Sequence, residues 1–158
     1  IMNTVNEQHT ADPKKVQLYL ERVGDLFSQI KTWFQGELEV ATDTIQIKEP
    51  AGNYEAPTLS IREKGQAEIL ANLIPKSSGT ILFKGMIEIN GGLDQIHLEY
   101  MAKGGPQVTL TQGNTYPMLN GINQNGWYWI VDPVTKTTRF TDKASLLEMI
   151  TWVSDHEF

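Results

Sequence analysis

The chain has 158 residues, 40% of them hydrophobic and 20% charged, with no cysteine and a formal net charge of −6. That composition belongs to a folded domain and not to a disordered segment, and it excludes disulfides and thiolate chemistry. An acidic balance with no basic stripe argues against general affinity for nucleic acid, whose binding rests on phosphate neutralisation, and leaves a basic protein as the partner that charge favours.

No apolar run approaches the ~20 residues of a membrane span, so no membrane association is expected. The first thirteen residues, IMNTVNEQHTADP, lack the basic and apolar blocks of a signal peptide. They are expected to form a flexible arm over 1–12 ahead of a single α+β domain over 13–158, in a cytoplasmic protein. Ile1, standing ahead of Met2, reads as an added residue.

Residues 13–35 carry the strongest periodicity. Val16, Leu20, Val23, Phe27, Ile30 and Phe34 recur at steps of four and three and form one helical stripe, which Tyr19, Leu26 and Trp33 widen along one edge. Asp12 suits the N-cap, Pro13 the first helical position and Gly36 the left-handed position past the end. The stripe is wider than a two-stranded coiled coil needs, so it packs against sheet, and the chain is read as a monomer or homodimer.

Beyond Gly36 the period becomes two. Leu38 and Val40, then Ile45 and Ile47, predict one strand broken near Asp43 or two short strands. Residues 49–57, EPAGNYEAP, are rich in turn formers, so a long-looped hairpin should lead to a strand holding Leu59 and Ile61. Residues 66–74 fit a short helix or a strand, with strand preferred. Residues 80–90, TILFKGMIEIN, read as a central strand with Gly85 at a bulge, bend or close approach of the helix.

Further strands are expected over 95–102, around Val108 and Leu110, over 127–132 and over 137–140. The WYWIVD run at 127–132 should be buried on both faces. Residues 112–126 form the longest irregular segment. A last helix, capped by Thr141 or Asp142, carries Leu146, Ile150 and Val153 inward, with Trp33 and Trp152 in the core and the tail after Ser154 frayed. The fold class is therefore α+β: a mostly antiparallel, curved sheet of about six to seven strands flanked by a long N-terminal and a shorter C-terminal helix.

Chemistry is sparse. His97 and Glu99 share a strand face at the spacing that could orient an imidazole or supply two metal ligands, but no third ligand is near, so no metal or cofactor is expected. PKSSGT at 75–80 lacks the order of a phosphate-binding loop and leads into a strand. Glu88, Asp94 and Glu99 could cluster as paired carboxylates, yet nothing in the sequence marks them as buried, and a solvated sheet face is the simpler reading. No nucleophile elbow is present.

No catalytic residue is therefore assigned. The favoured reading is a non-enzymatic partner-binding protein of the immunity-protein, antitoxin or small-adaptor type. Its candidate surface is an acidic hairpin with two loop tyrosines: Glu49, Tyr54, Glu55, Glu63 and Tyr116. The alternative is a module for a small ligand such as a sugar or nucleotide, with Tyr116, Asn120, Asn123 and Trp127 rimming a cleft where rings could stack.

Overall fold

The computed structural model describes residues 11–158. The expected arm over 1–12 therefore falls almost wholly outside the described residues. Helix α1 spans Pro13–Phe34, with the Asp12 side chain accepting from the Lys15 amide and Pro13 in the first turn. Gly36 takes φ +80° just past its end. Tyr19, Val23, Leu26, Phe27, Ile30 and Phe34 are buried.

Nine strands follow: β1 (Leu38–Glu49), β2 (Gly52–Glu63), β3 (Ala71–Ser77), β4 (Met86–Asn90), β5 (Gln95–Met101), β6 (Gln107–Thr109), β7 (Thr115–Pro117), β8 (Gly126–Asp132) and β9 (Thr137–Phe140). Helix α2 (Lys143–Ser154) closes the chain, with a capping box between Asp142 and Ser145. Seven strands form an antiparallel sheet in the order β1-β2-β3-β4-β5-β8-β9, and β6 and β7 form a separate hairpin inserted into that meander. The α+β class and both flanking helices match the sequence expectation.

Both helices cover the face that carries Leu59, Ile61, Leu73, Ile87, Ile89, Ile96, Leu98 and Trp127, and all of these join one buried cluster with Leu146, Met149, Ile150 and Val153. Met101 and Tyr128 point to the opposite face. There Leu119 and Ile122, from the segment before β8, cover them in a smaller second cluster.

The β1–β2 pair differs from expectation. Glu49 pairs with Gly52, so only Pro50 and Ala51 form the turn, and Tyr54 and Glu55 lie in β2 and not in a long loop. Nor does β1 break at Asp43. What changes there is which face is buried. Leu38, Val40, Leu59 and Ile61 share the helix-covered face, whereas Ile45, Ile47, Tyr54 and Ala56, buried or half-buried, lie on the other face of the same ladder. Strand β3 pairs with β2 only over residues 59–61. The outer half is therefore a free two-stranded ribbon, which twists more strongly than a sheet and turns its second face towards α1. Pro57, which cannot donate to a ladder, sits in that outer half, where it costs nothing.

Other expectations are corrected. The preferred strand over 66–74 begins only at Ala71, and the strand expected over 80–90 begins only at Met86. Ahead of Met86, Ile81 is fully exposed. Gly85 marks the close approach of the helix: a Cβ there would lie 2.7 Å from the Tyr19 ring. That ring is fixed, because its hydroxyl donates to the Met86 carbonyl at 2.5 Å and accepts from the Lys76 amide at 3.1 Å.

In β8 only Trp127 and Tyr128 are buried, while Val131 is exposed. Trp152 is 59% exposed and not core; its ring stacks edge-on against Trp129 and its N–H donates to Asp94. The tail is held by His156, whose Nε2 lies 2.6 Å from Glu63 Oε1.

Candidate binding site

The acidic hairpin residues do not form one surface. Glu49 is half-buried and saturated: the Tyr54 hydroxyl and the Ser78 amide donate to its Oε2, and the Ser78 hydroxyl donates to its Oε1. Burial, together with the neighbouring Glu49 carboxylate, raises the Tyr54 pKa. This cluster ties the ribbon to the segment after β3 and leaves Glu49 little to offer a partner. Glu55 is exposed beside it, donated to by Gln46. Glu63 stands at the far end of β2, eight residues or roughly 27 Å along the strand, held by His156. Tyr116 belongs to the β6–β7 hairpin, with Lys136 over its ring at 5.5 Å.

The alternative ligand set is also divided. Tyr116, Asn120 and Asn123 are exposed, and the segment holding the two asparagines covers the sheet face opposite the helices. Trp127 is 5% exposed on the helix side and its indole N–H donates to the Arg22 carbonyl at 3.3 Å. It packs in the core and offers no face to a ring.

The carboxylates that looked solvated are not. Glu88 and Glu99 are 6% and 7% exposed. Lys76 pairs with Glu88 at 2.9 Å, while Glu99 Oε2 finds no hydrogen-bond partner. Burial pushes the Glu99 carboxyl up to about 7. It sits between Met86 and Tyr128 on neighbouring strands, at the mouth of a hollow also lined by His97 and Ile130. His97 itself is exposed. Among the described residues no three imidazole or carboxylate groups cluster closely enough to hold a metal ion.

A larger concavity lies elsewhere, beside α1. Val16 and Leu20 belong to the same helical stripe as the core residues, but the sheet does not reach them and they stay half-exposed. The tip of the β1–β2 ribbon forms the facing wall with Ala51, Gly52, Asn53 and Tyr54, enclosing about 610 Å³. The ribbon is held there by the hydrogen bond from the Asp12 amide to the Ala51 carbonyl, 3.0 Å, and by Tyr54 packed edge-on to Tyr19 at 6.4 Å. Gln17 and Glu21 supply the polar rim.

A second groove of about 510 Å³ runs along the other flank of α1, against residues 78–84, and Lys14, Lys15, Arg22 and Lys84 line it. Sequence reasoning missed both grooves. The signal for the first was a stripe longer than its cover, and for the second the i, i+4, i+8 spacing of Lys14, Leu18 and Arg22 along one helix edge. Comparison with family models, with curated proteins and with solved structures returned no match.

Proposed function

We propose that this chain is a non-enzymatic binding protein whose partner is another protein, and that the partner inserts an apolar side chain flanked by basic residues into the cleft between α1 and the β1–β2 tip. The observation that carries this reading is the uncovered end of the α1 stripe. Val16 and Leu20 face a preformed wall that holds Tyr54, within a volume suited to one or two large side chains. Glu21 on the rim favours a basic flank over an acidic one.

The test is selection of displayed random peptides on the whole protein. The expected result is a consensus with one large apolar anchor next to Lys or Arg, and at least tenfold weaker binding to Leu20→Gln, which removes the apolar floor of the cleft. Peptides without an anchor, or equal affinity for Leu20→Gln, would overturn the reading. A thermal-shift screen separates the small-ligand alternative. An apolar metabolite at 100 times its Kd would add about 2.7 kcal/mol of stability, and the site would then be assigned to that compound class and not to a protein.

A further inference from the structure

The segment between β3 and β4 packs Phe83 inward and turns Ile81 and Leu82 outward. Ile81 is fully exposed, Leu82 is 46% exposed, and Leu18, on the α1 edge facing this segment, is 45% exposed. Single exposed apolar residues are ordinary; three about one protruding loop are a patch. Behind it lies the groove of Lys14, Lys15, Arg22 and Lys84. Among the described residues none of these four cations is paired with a carboxylate. Lys15 Nζ instead meets the Gly79 carbonyl at 3.4 Å, and Arg22 lies over the Tyr100 ring at 4.1 Å. Asp12 is the one acidic group lining the groove, and its carboxylate caps the helix at the Lys15 amide.

We infer that this face is a peripheral docking surface for an anionic phospholipid bilayer. Ile81 and Leu82 enter the boundary between headgroups and acyl chains, and the lipid phosphates and carboxylates lie against Lys14, Lys15 and Lys84. A convex apolar tip decides the occupant. A soluble acidic ligand would neutralise the lysines and leave Ile81 in water, and a protein would need a cavity shaped to receive it. A bilayer accepts an apolar wedge of any shape and brings its negative charge to the surrounding cations.

Attachment is reversible and shallow, because no helix among the described residues is long and apolar enough to cross a membrane. The net charge of −6 does not prevent it. Screening at physiological salt acts over about 8 Å, and the carboxylates nearest the groove are already engaged, Asp12 by the Lys15 amide and Glu49 by Ser78 and Tyr54.

Co-sedimentation of the whole protein with vesicles of phosphatidylcholine, with and without 30% phosphatidylserine, tests this. Binding is expected only with phosphatidylserine, weakening about fivefold for Lys84→Ala and about 25-fold for the pair Lys14→Ala and Lys84→Ala. The pair Ile81→Ser and Leu82→Ser should lose at least tenfold with every cation still present. All four sites are on the surface, and unchanged circular dichroism confirms that the variants fold. No binding at any phosphatidylserine content, equal binding to both vesicles, or full binding by the serine pair would each overturn the proposal. So would displacement by soluble polyglutamate that is equally effective against wild type and the serine pair, since it would mark a site for acidic polymer.

Discussion

Replacing Glu99 by Gln removes a buried titrating group without changing its shape, and the structure fixes what should follow. Burial lifts the carboxyl from 4.5 to about 7. Between those values the native state binds a proton that the unfolded state has released, so stability falls as pH rises. The contribution is whole below about pH 4.5 and lost above about pH 7. At about 1.4 kcal/mol per tenfold, the full loss is about 3 kcal/mol, of which 2 to 3 kcal/mol falls between pH 5 and 8.

In urea unfolding followed by tryptophan fluorescence, with a slope of about 2 kcal/mol per molar, the wild-type midpoint should drop by about 1 M over that interval. Glu99→Gln should remove that part of the drop. The Lys76–Glu88 pair and His97 are present in both proteins, so the difference between them isolates Glu99. Parallel losses in wild type and variant would refute the claim that Glu99 carries the pH dependence.

Gly85→Ala places a Cβ 2.7 Å from a Tyr19 ring that is fully buried and held at its hydroxyl, and thermal unfolding should show a loss of about 2 to 3 kcal/mol. The adjacent glycines at the β4–β5 turn should behave oppositely. Gly91→Ala drives a Cβ to 2.2 Å from the Val153 carbonyl oxygen and should cost at least 2 kcal/mol, whereas Gly92 has nothing within 4 Å and its alanine variant should lie within about 0.5 kcal/mol of wild type. Equal effects at the two positions would mean that α2 does not end against this turn.

Local signals carried the fold where they agreed with tertiary packing. The α1 periodicity, its Asp12 cap and Gly36 sufficed for the first helix, and alternation around Ile87 and Ile89 sufficed for the centre of the sheet. The failures share one cause: residues outside the local run decided them. Turn formers at 49–57 were absorbed into a ladder because β1 supplied a strand partner for every residue from Gly52 onward. The change of phase between Val40 and Ile45 was legible, but its meaning as a change of buried face depended on where β3 stops pairing. Burial of Glu88 and Glu99 could not be read from alternation, since it depends on the neighbouring strands, including Tyr128 opposite Glu99, with Lys76 beside Glu88 and the 118–122 segment covering the adjoining part of that face. Of the candidate site, only Tyr54 was named from sequence. The grooves beside α1 depend on where the sheet ends beneath it.

A helix of 3.6 residues per turn on a sheet has two flanks, and about 100° per residue sets which side chains reach each. Leu20 and Arg22 point about 200° apart, so Val16, Gln17 and Leu20 face the ribbon tip while Lys15, Leu18 and Arg22 face the 78–84 segment. The two grooves share a helix but no lining residue; Glu49 links Tyr54 of one to Ser78 of the other, but Leu20, Lys14 and Lys84 take no part in that link, and effects at sites without shared partners add within about 0.5 kcal/mol. Leu20→Gln should therefore weaken the selected peptides while leaving vesicle binding within about twofold of wild type. The Lys14→Ala and Lys84→Ala pair should do the reverse, and a vesicle-bound sample should still capture the peptide. If either substitution impaired both activities, the two flanks would be one surface, and a single ligand spanning the N-terminal half of α1 would replace the two proposed here.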